Sequence, residues 1–139
     1  MPATPRKVFF VSDRTGLTAQ SYGNSLLAQF PGIEFDAASF TFVDSLEQAS
    51  LTARSIDSVA EEFGETPIVF STLVDPAIQQ VIERTDACVI NLFGTFLGPL
   101  ESCLGVESAH TLGKSQSVFG ERAYDRRIKA IDFALAHDD

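Results

Sequence analysis

Apolar residues fall along this chain in short solid blocks separated by stripes at helical spacing. Val8-Phe9-Phe10-Val11, Ile68-Val69-Phe70 and Cys88-Val89-Ile90 are continuous apolar runs, as expected of central parallel strands covered by helices on both faces. Ile33, Phe35 and Ala37 alternate with Glu34 and Asp36, and the phase then slips so that Phe40 and Phe42 carry the pattern. That predicts an edge strand, with a bulge as one source of the slip. Leu46, Ala49, Ala53, Ile56, Ala60 and Phe63 recur three and four apart, drawing one stripe along a helix that Gly64 should end. Asp75-Pro76 sets a capping carboxylate before a proline suited to the first turn, predicting a helix from Asp75 to about Arg84. Phe93 to Leu104 is apolar, with a helix expected to start near Pro99, and Ser108 to Val118 reads as a loop. Tyr124, Ile128, Ile131 and Leu135 give a last helix its buried face.

Four strand-like segments alternating with helical ones indicate an α/β fold: a doubly wound, mostly parallel sheet of about four strands flanked by helices, Rossmann-like or flavodoxin-like. Right-handed crossovers most simply give the strand order 2-1-3-4, with the switch point between the first and third strands. Two polar loops then converge at the carboxyl edge of the sheet. One is Ser12-Asp13-Arg14-Thr15-Gly16, opening a helix at Leu17-Thr18-Ala19, and the other is Ser71-Thr72-Leu73-Val74-Asp75. Hydroxyls and helix N–H groups suit a phosphate or carboxylate, and Arg14 supplies a cation. Asp13 would repel such an anion unless it caps, binds a metal or orients a donor. Ser12, Asp13, Arg14, Thr15, Gly16, Thr18, Ser71, Thr72 and Asp75 are therefore candidate ligand-binding residues. The same residue types also serve turns and caps, so both readings stay open, with Asp75 reading first as a cap. His110 and Lys114 join the candidates if the fold brings them to the sheet edge, where they would meet an anion.

The 139 residues, 45% hydrophobic with 12 Phe, suit a single domain with one core. A formal charge of −9 argues against nucleic acid or an anionic membrane as partner. Arg122, Arg126, Arg127 and Lys129 gather on the last helix, where a solvated basic face is the expected reading. No apolar run approaches the roughly 18 residues of a membrane span, and the N-terminus leads directly into a strand, so a cytoplasmic location is expected. Cys88 reads as a buried thiol inside its strand, and Cys88 and Cys103 suggest no disulfide framework. His110 and His137 lack companion ligands, and no metal is expected. The chain holds no G-x-x-x-x-G-K-[ST], no G-x-G-x-x-G after its first strand and no G-x-S-x-G, so nucleotide-loop, dinucleotide and serine-hydrolase chemistries lack their usual signatures.

An ordered set of motifs resembles a known family. Val8-Phe9-Phe10-Val11-Ser12-Asp13-x-Thr15-Gly16-x-Thr18-Ala19, Gln29-Phe30-Pro31, Phe42-Val43-Asp44 and Pro67 to Asp75 resemble the N-terminal part of the pyruvate, phosphate dikinase and phosphoenolpyruvate synthase regulatory proteins. Pro99-Leu100-Glu101 and the stretch from Tyr124 to His137-Asp138-Asp139 are similar to the same family, so the likeness covers nearly the whole chain. The resemblance implies a bifunctional regulator that phosphorylates a threonine of its target dikinase or synthase using ADP. It also implies removal of that phosphate by phosphorolysis with inorganic phosphate, releasing pyrophosphate. The family's nucleotide-binding P-loop lies beyond the His-Asp-Asp junction, so residues 1–139 are expected to be a single N-terminal domain, inactive alone and with no cofactor of its own. A non-catalytic module for dimerisation or target docking is the alternative. Gln20 stands where the family pattern leads one to expect Glu, and no catalytic residue is carried over.

Overall fold

β1 (Arg6–Val11) runs through the middle of a parallel sheet in the order β2-β1-β3-β4, the order expected from the alternation of segments. The computed structural model of the protein describes residues 5–109, and the expected last helix, the basic cluster from Arg122 to Lys129, His110 and Lys114 lie outside them. In chain order the elements are β1, α1 (Leu17–Leu27), β2 (Phe35–Phe40), α2 (Leu46–Phe63), β3 (Ile68–Ser71), α3 (Pro76–Glu83), β4 (Cys88–Asn91) and α4 (Leu92–Leu104). All three strand pairings are parallel. The β1/β3 pairing sets Val8 beside Ile68 and Val11 beside Ser71, so the two polar loops leave adjacent strands at the same edge.

Side chains alternate across a strand, so β1 feeds two cores. Phe9 and Val11 face α2 and α3, packing with Ala49, Ile56, Val69, Ile78 and Ile82. Val8 and Phe10 face α1 and α4, packing with Ala19, Phe70 and Leu92. On this second face the rings of Phe10 and Phe70 stack with centroids 5.9 Å apart. Gly23 lies over them: a Cβ there would sit 2.4 Å from Phe10 Cε1 and 2.9 Å from Phe70 Cδ2. α1 can therefore reach the sheet only because position 23 has no side chain.

Local chemistry sets the helix ends where the sequence indicated. Gly64 adopts φ 66° and its N–H donates to Ala60 O, closing α2 in the left-handed conformation that glycine adopts without strain. The Asp75 carboxylate accepts from the Ala77 N–H at 2.9 Å, and Pro76 occupies the first turn of α3. α4 departs from expectation. It starts at Leu92 rather than near Pro99, because Asn91 Oδ1 accepts from the Gly94 N–H at 2.9 Å and caps the helix directly at the end of β4. Pro99 lies inside α4.

Three further details differ from the sequence reading. β2 pairs with β1 residue for residue from Arg6/Phe35 to Val11/Phe40, without a bulge. The slip in its pattern arises because the strand stops at Phe40, and Phe42 takes a left-handed φ of 55° with its ring exposed. Cys88 is exposed at the start of an edge strand, because β4 has only β3 beside it among the described residues. An apolar run does not by itself distinguish a central strand from an edge one. On α2 the buried line runs through Ala49, Thr52 and Ile56, while Leu46 and Phe63 at the two ends are exposed beyond the sheet. The Phe63 ring instead receives the Lys7 ammonium 4.7 Å from its centroid.

Candidate functional site

The switch point between β1 and β3 is held together by backbone hydrogen bonds that leave little slack. Thr72 N donates to Val11 O at 3.0 Å, joining the start of the second loop to the end of β1. Ser12 N donates to Phe40 O, Val43 N to Ser12 O and Phe42 N to Arg14 O, at 2.9–3.0 Å, so the β2–α2 connection is stitched to the same loop. Three strand-to-helix connections thus form one rim.

Within that rim the hydroxyls closest to the strands are committed. Ser12, almost fully buried, accepts from the Arg14 N–H at 2.9 Å, which fixes the turn. Ser71 is wholly buried; its hydroxyl donates to Gln79 Oε1, and Gln79 Nε2 donates on to Glu83 at 3.1 Å. Ser71 therefore shapes the crevice from beneath, as does buried Thr72 through its backbone. Asp75, exposed, spends one oxygen on the α3 cap.

Asp13 joins the two loops. Its Oδ2 accepts from the Val74 N–H at 3.0 Å, across 61 residues of sequence. Burial raises the Asp13 carboxyl above its ordinary value of 3.8; the Val74 N–H, its own backbone N–H and Arg14 oppose that shift, and Asp44 adds to it. This carboxylate holds the β3–α3 loop against the β1–α1 loop.

Three side chains and one helix end face outward. Arg14 and Thr15 are exposed and Thr18 is half-buried. Gly16 precedes α1 with φ 87°, and no side chain caps the helix. The first turn of α1 thus presents backbone N–H groups without a side-chain cap, in a loop that also carries exposed Arg14, residue types suited to an anion. Gln20, one turn further on, donates to Ser39 Oγ at 2.8 Å and ties α1 to the edge strand. Among the described residues no group of three or more His, Cys, Asp or Glu is placed to hold a metal ion.

Sequence reasoning did not anticipate Gln79, whose signal would have been an amide one helical turn after the Asp75 cap on the buried side of α3. It also passed over a groove of about 500 Å³ between α3 and α4, outside the β1–α1 loop. No helix among the described residues is long and apolar enough to cross a membrane.

Residues 8–139 match the family described as kinase/pyrophosphorylase. Among curated relatives, a protein of Legionella pneumophila (strain Corby) named as a phosphoenolpyruvate synthase regulatory protein is 46% identical over 134 residues, covering 96% of this chain and 49% of its own. A protein of Aromatoleum aromaticum with the same name is 48% identical over 140 residues, covering all of this chain and 50% of its own. One from Hahella chejuensis, also so named, is 45% identical over 134 residues. The chain spans about half the length of the curated relatives it matches. With a match this extensive and a parallel α/β sheet whose motif loops meet at one edge, the chain belongs to the kinase/pyrophosphorylase family.

Proposed function

We propose that these residues form the N-terminal domain of a bifunctional regulator of phosphoenolpyruvate synthase or a related dikinase. The regulator acts as an ADP-dependent serine/threonine kinase and as a phosphate-dependent pyrophosphorylase on the same threonine. In this reading the donor nucleotide is anchored by a phosphate-binding loop in the other half of the protein. The domain described here engages the target and offers the rim around Arg14, Thr15 and the start of α1 to a phosphate-bearing group. The observation that carries the reading is identity of 46–48% sustained over 96% or more of the chain with proteins named for that regulatory role. The uncapped N-terminus of α1, in a loop that also carries exposed Arg14, adds chemical support.

A second reading, a docking module whose polar loops serve only as turns and caps, draws on the committed hydroxyls of Ser12 and Ser71. Titrating the chain with ADP, inorganic phosphate and pyrophosphate while following backbone amide shifts separates the two. The first reading expects saturable shifts at residues 12–18 that Arg14→Ala weakens. No shift at residues 12–18 or 71–75, with the synthase perturbing a helical face instead, would establish the docking module.

A further inference from the structure

β2 is an edge strand, and among the described residues β1 is its single neighbour. The Arg6 N–H donates to Glu34 O and the Ser12 N–H to Phe40 O, so the carbonyls at the two ends of β2 point toward β1. In a parallel strand the N–H and C=O of one residue share a side, and the side alternates from residue to residue. Phe35, Ala37 and Ser39 therefore direct their N–H and C=O groups outward, away from β1. Such an edge is a template for another strand, and proteins commonly blunt it with proline, lysine or a bulge. β2 carries none of these: it reads Phe-Asp-Ala-Ala-Ser-Phe and pairs with β1 in unbroken register.

The strand is complementary to itself. Two copies of β2 meeting antiparallel about a two-fold axis at Ala37 set Ala37 opposite Ala37 and Phe35 opposite Ser39, and each pair exchanges its outward N–H and C=O groups. Asp36 then falls opposite Ala38 rather than opposite its own copy, and it is already paired with Lys7. Residues 37–43 are uncharged, so the edge is locally neutral although the whole chain carries −9. Ile33 is 47% exposed just before β2 and Phe42 is 58% exposed just after it. The antiparallel meeting brings the Ile33 end of each copy against the Phe42 end of the other, so both apolar groups are covered twice. An unrelated strand would gain the ladder without those matched ends.

We propose that two copies of this chain associate through β2, joining their four-stranded sheets into one of eight strands about an axis at Ala37. The two switch-point rims then open at opposite edges of the joined sheet.

Sedimentation equilibrium on the 139-residue chain should show a reversible dimer with a dissociation constant on the order of 10 μM, as suits an interface at the small end of the stable range. Amide exchange across the same concentrations should show residues 35, 37 and 39 gaining protection as the dimer forms, while 36, 38 and 40, which face β1, stay unchanged. Ala37→Lys and Ala37→Glu each set like charges across the axis and should weaken the dimer about fivefold, whereas an equimolar mixture of the two should recover wild-type affinity. A wild-type chain that stays monomeric to about 500 μM would overturn the proposal. So would a dimer that leaves residues 35, 37 and 39 unprotected, which would place the contact on another face, or a mixture no tighter than either variant alone. Should either variant unfold, the exchange pattern of the wild type decides.

Discussion

Replacing Gly23 with alanine should destabilise the domain, although alanine is the better helix former. Carbon atoms in a packed core rest about 3.5–4.0 Å apart, whereas the new Cβ would lie 2.4 Å from Phe10 Cε1 and 2.9 Å from Phe70 Cδ2. Both rings are buried, at 3% and 2% exposure, and they stack on each other, so neither can swing away without disturbing the other. Overpacking of this kind costs typically 1–3 kcal/mol, and the steepness of the 2.4 Å contact puts Gly23→Ala at the upper end. The helix propensity gained offsets about 1 kcal/mol, leaving a net loss of about 1–2 kcal/mol. Urea unfolding followed by far-UV circular dichroism, with equal slopes for the two proteins, measures it. Phe10→Leu supplies the internal control, because it removes the ring edge that the new methyl strikes. In that background Gly23→Ala should cost less by about 1 kcal/mol or more, a coupling that a double-mutant cycle isolates. A Gly23→Ala protein as stable as wild type, or costs that simply add, would refute the claim that α1 approaches the sheet through position 23.

Other perturbations address the rim itself. Asp13→Ala leaves the Val74 N–H without its acceptor and should cost roughly 1–2 kcal/mol in urea unfolding; Asp13→Asn keeps an acceptor oxygen and should match or exceed wild type at pH 7. The raised Asp13 pKa means that its contribution is most favourable below the ordinary 3.8 and is lost as pH rises through the higher folded value. Urea unfolding above pH 3.8 should therefore show a stability decline in wild type that Asp13→Asn reduces; identical profiles would remove Asp13 as its source. Ser71→Ala strands Gln79 Oε1 in the interior and should cost about 1–3 kcal/mol in the same assay without changing the slope. Asp75→Ala should cost about 1 kcal/mol through the lost α3 cap, seen as faster amide exchange at residue 77.

The topology was legible because alternating strand and helix patterns leave few connections that obey right-handed crossover. Gly64 and Asp75 were legible because each ends or begins a helix by its own chemistry. The start of α4 was not, since Pro99 drew the boundary inward and the cap at Asn91 is an ordinary residue closing an apolar strand. Position 23 was also hidden: a glycine within a helical stretch says nothing until the two phenylalanine rings beneath it are placed. At the rim, residue types foretold that the loops after β1 and β3 would meet, yet a serine committed to a glutamine eight residues on looks the same in sequence as one facing a ligand. Only the fold separates buried Ser71 from exposed Thr15.

The measurement closest to the central claim is transfer of labelled β-phosphate from ADP to phosphoenolpyruvate synthase in the presence of this 139-residue chain. The account predicts that the synthase binds the chain and gains no label until the half carrying the phosphate-binding loop is added. Threonine phosphorylation by the chain alone, releasing AMP, would contradict it.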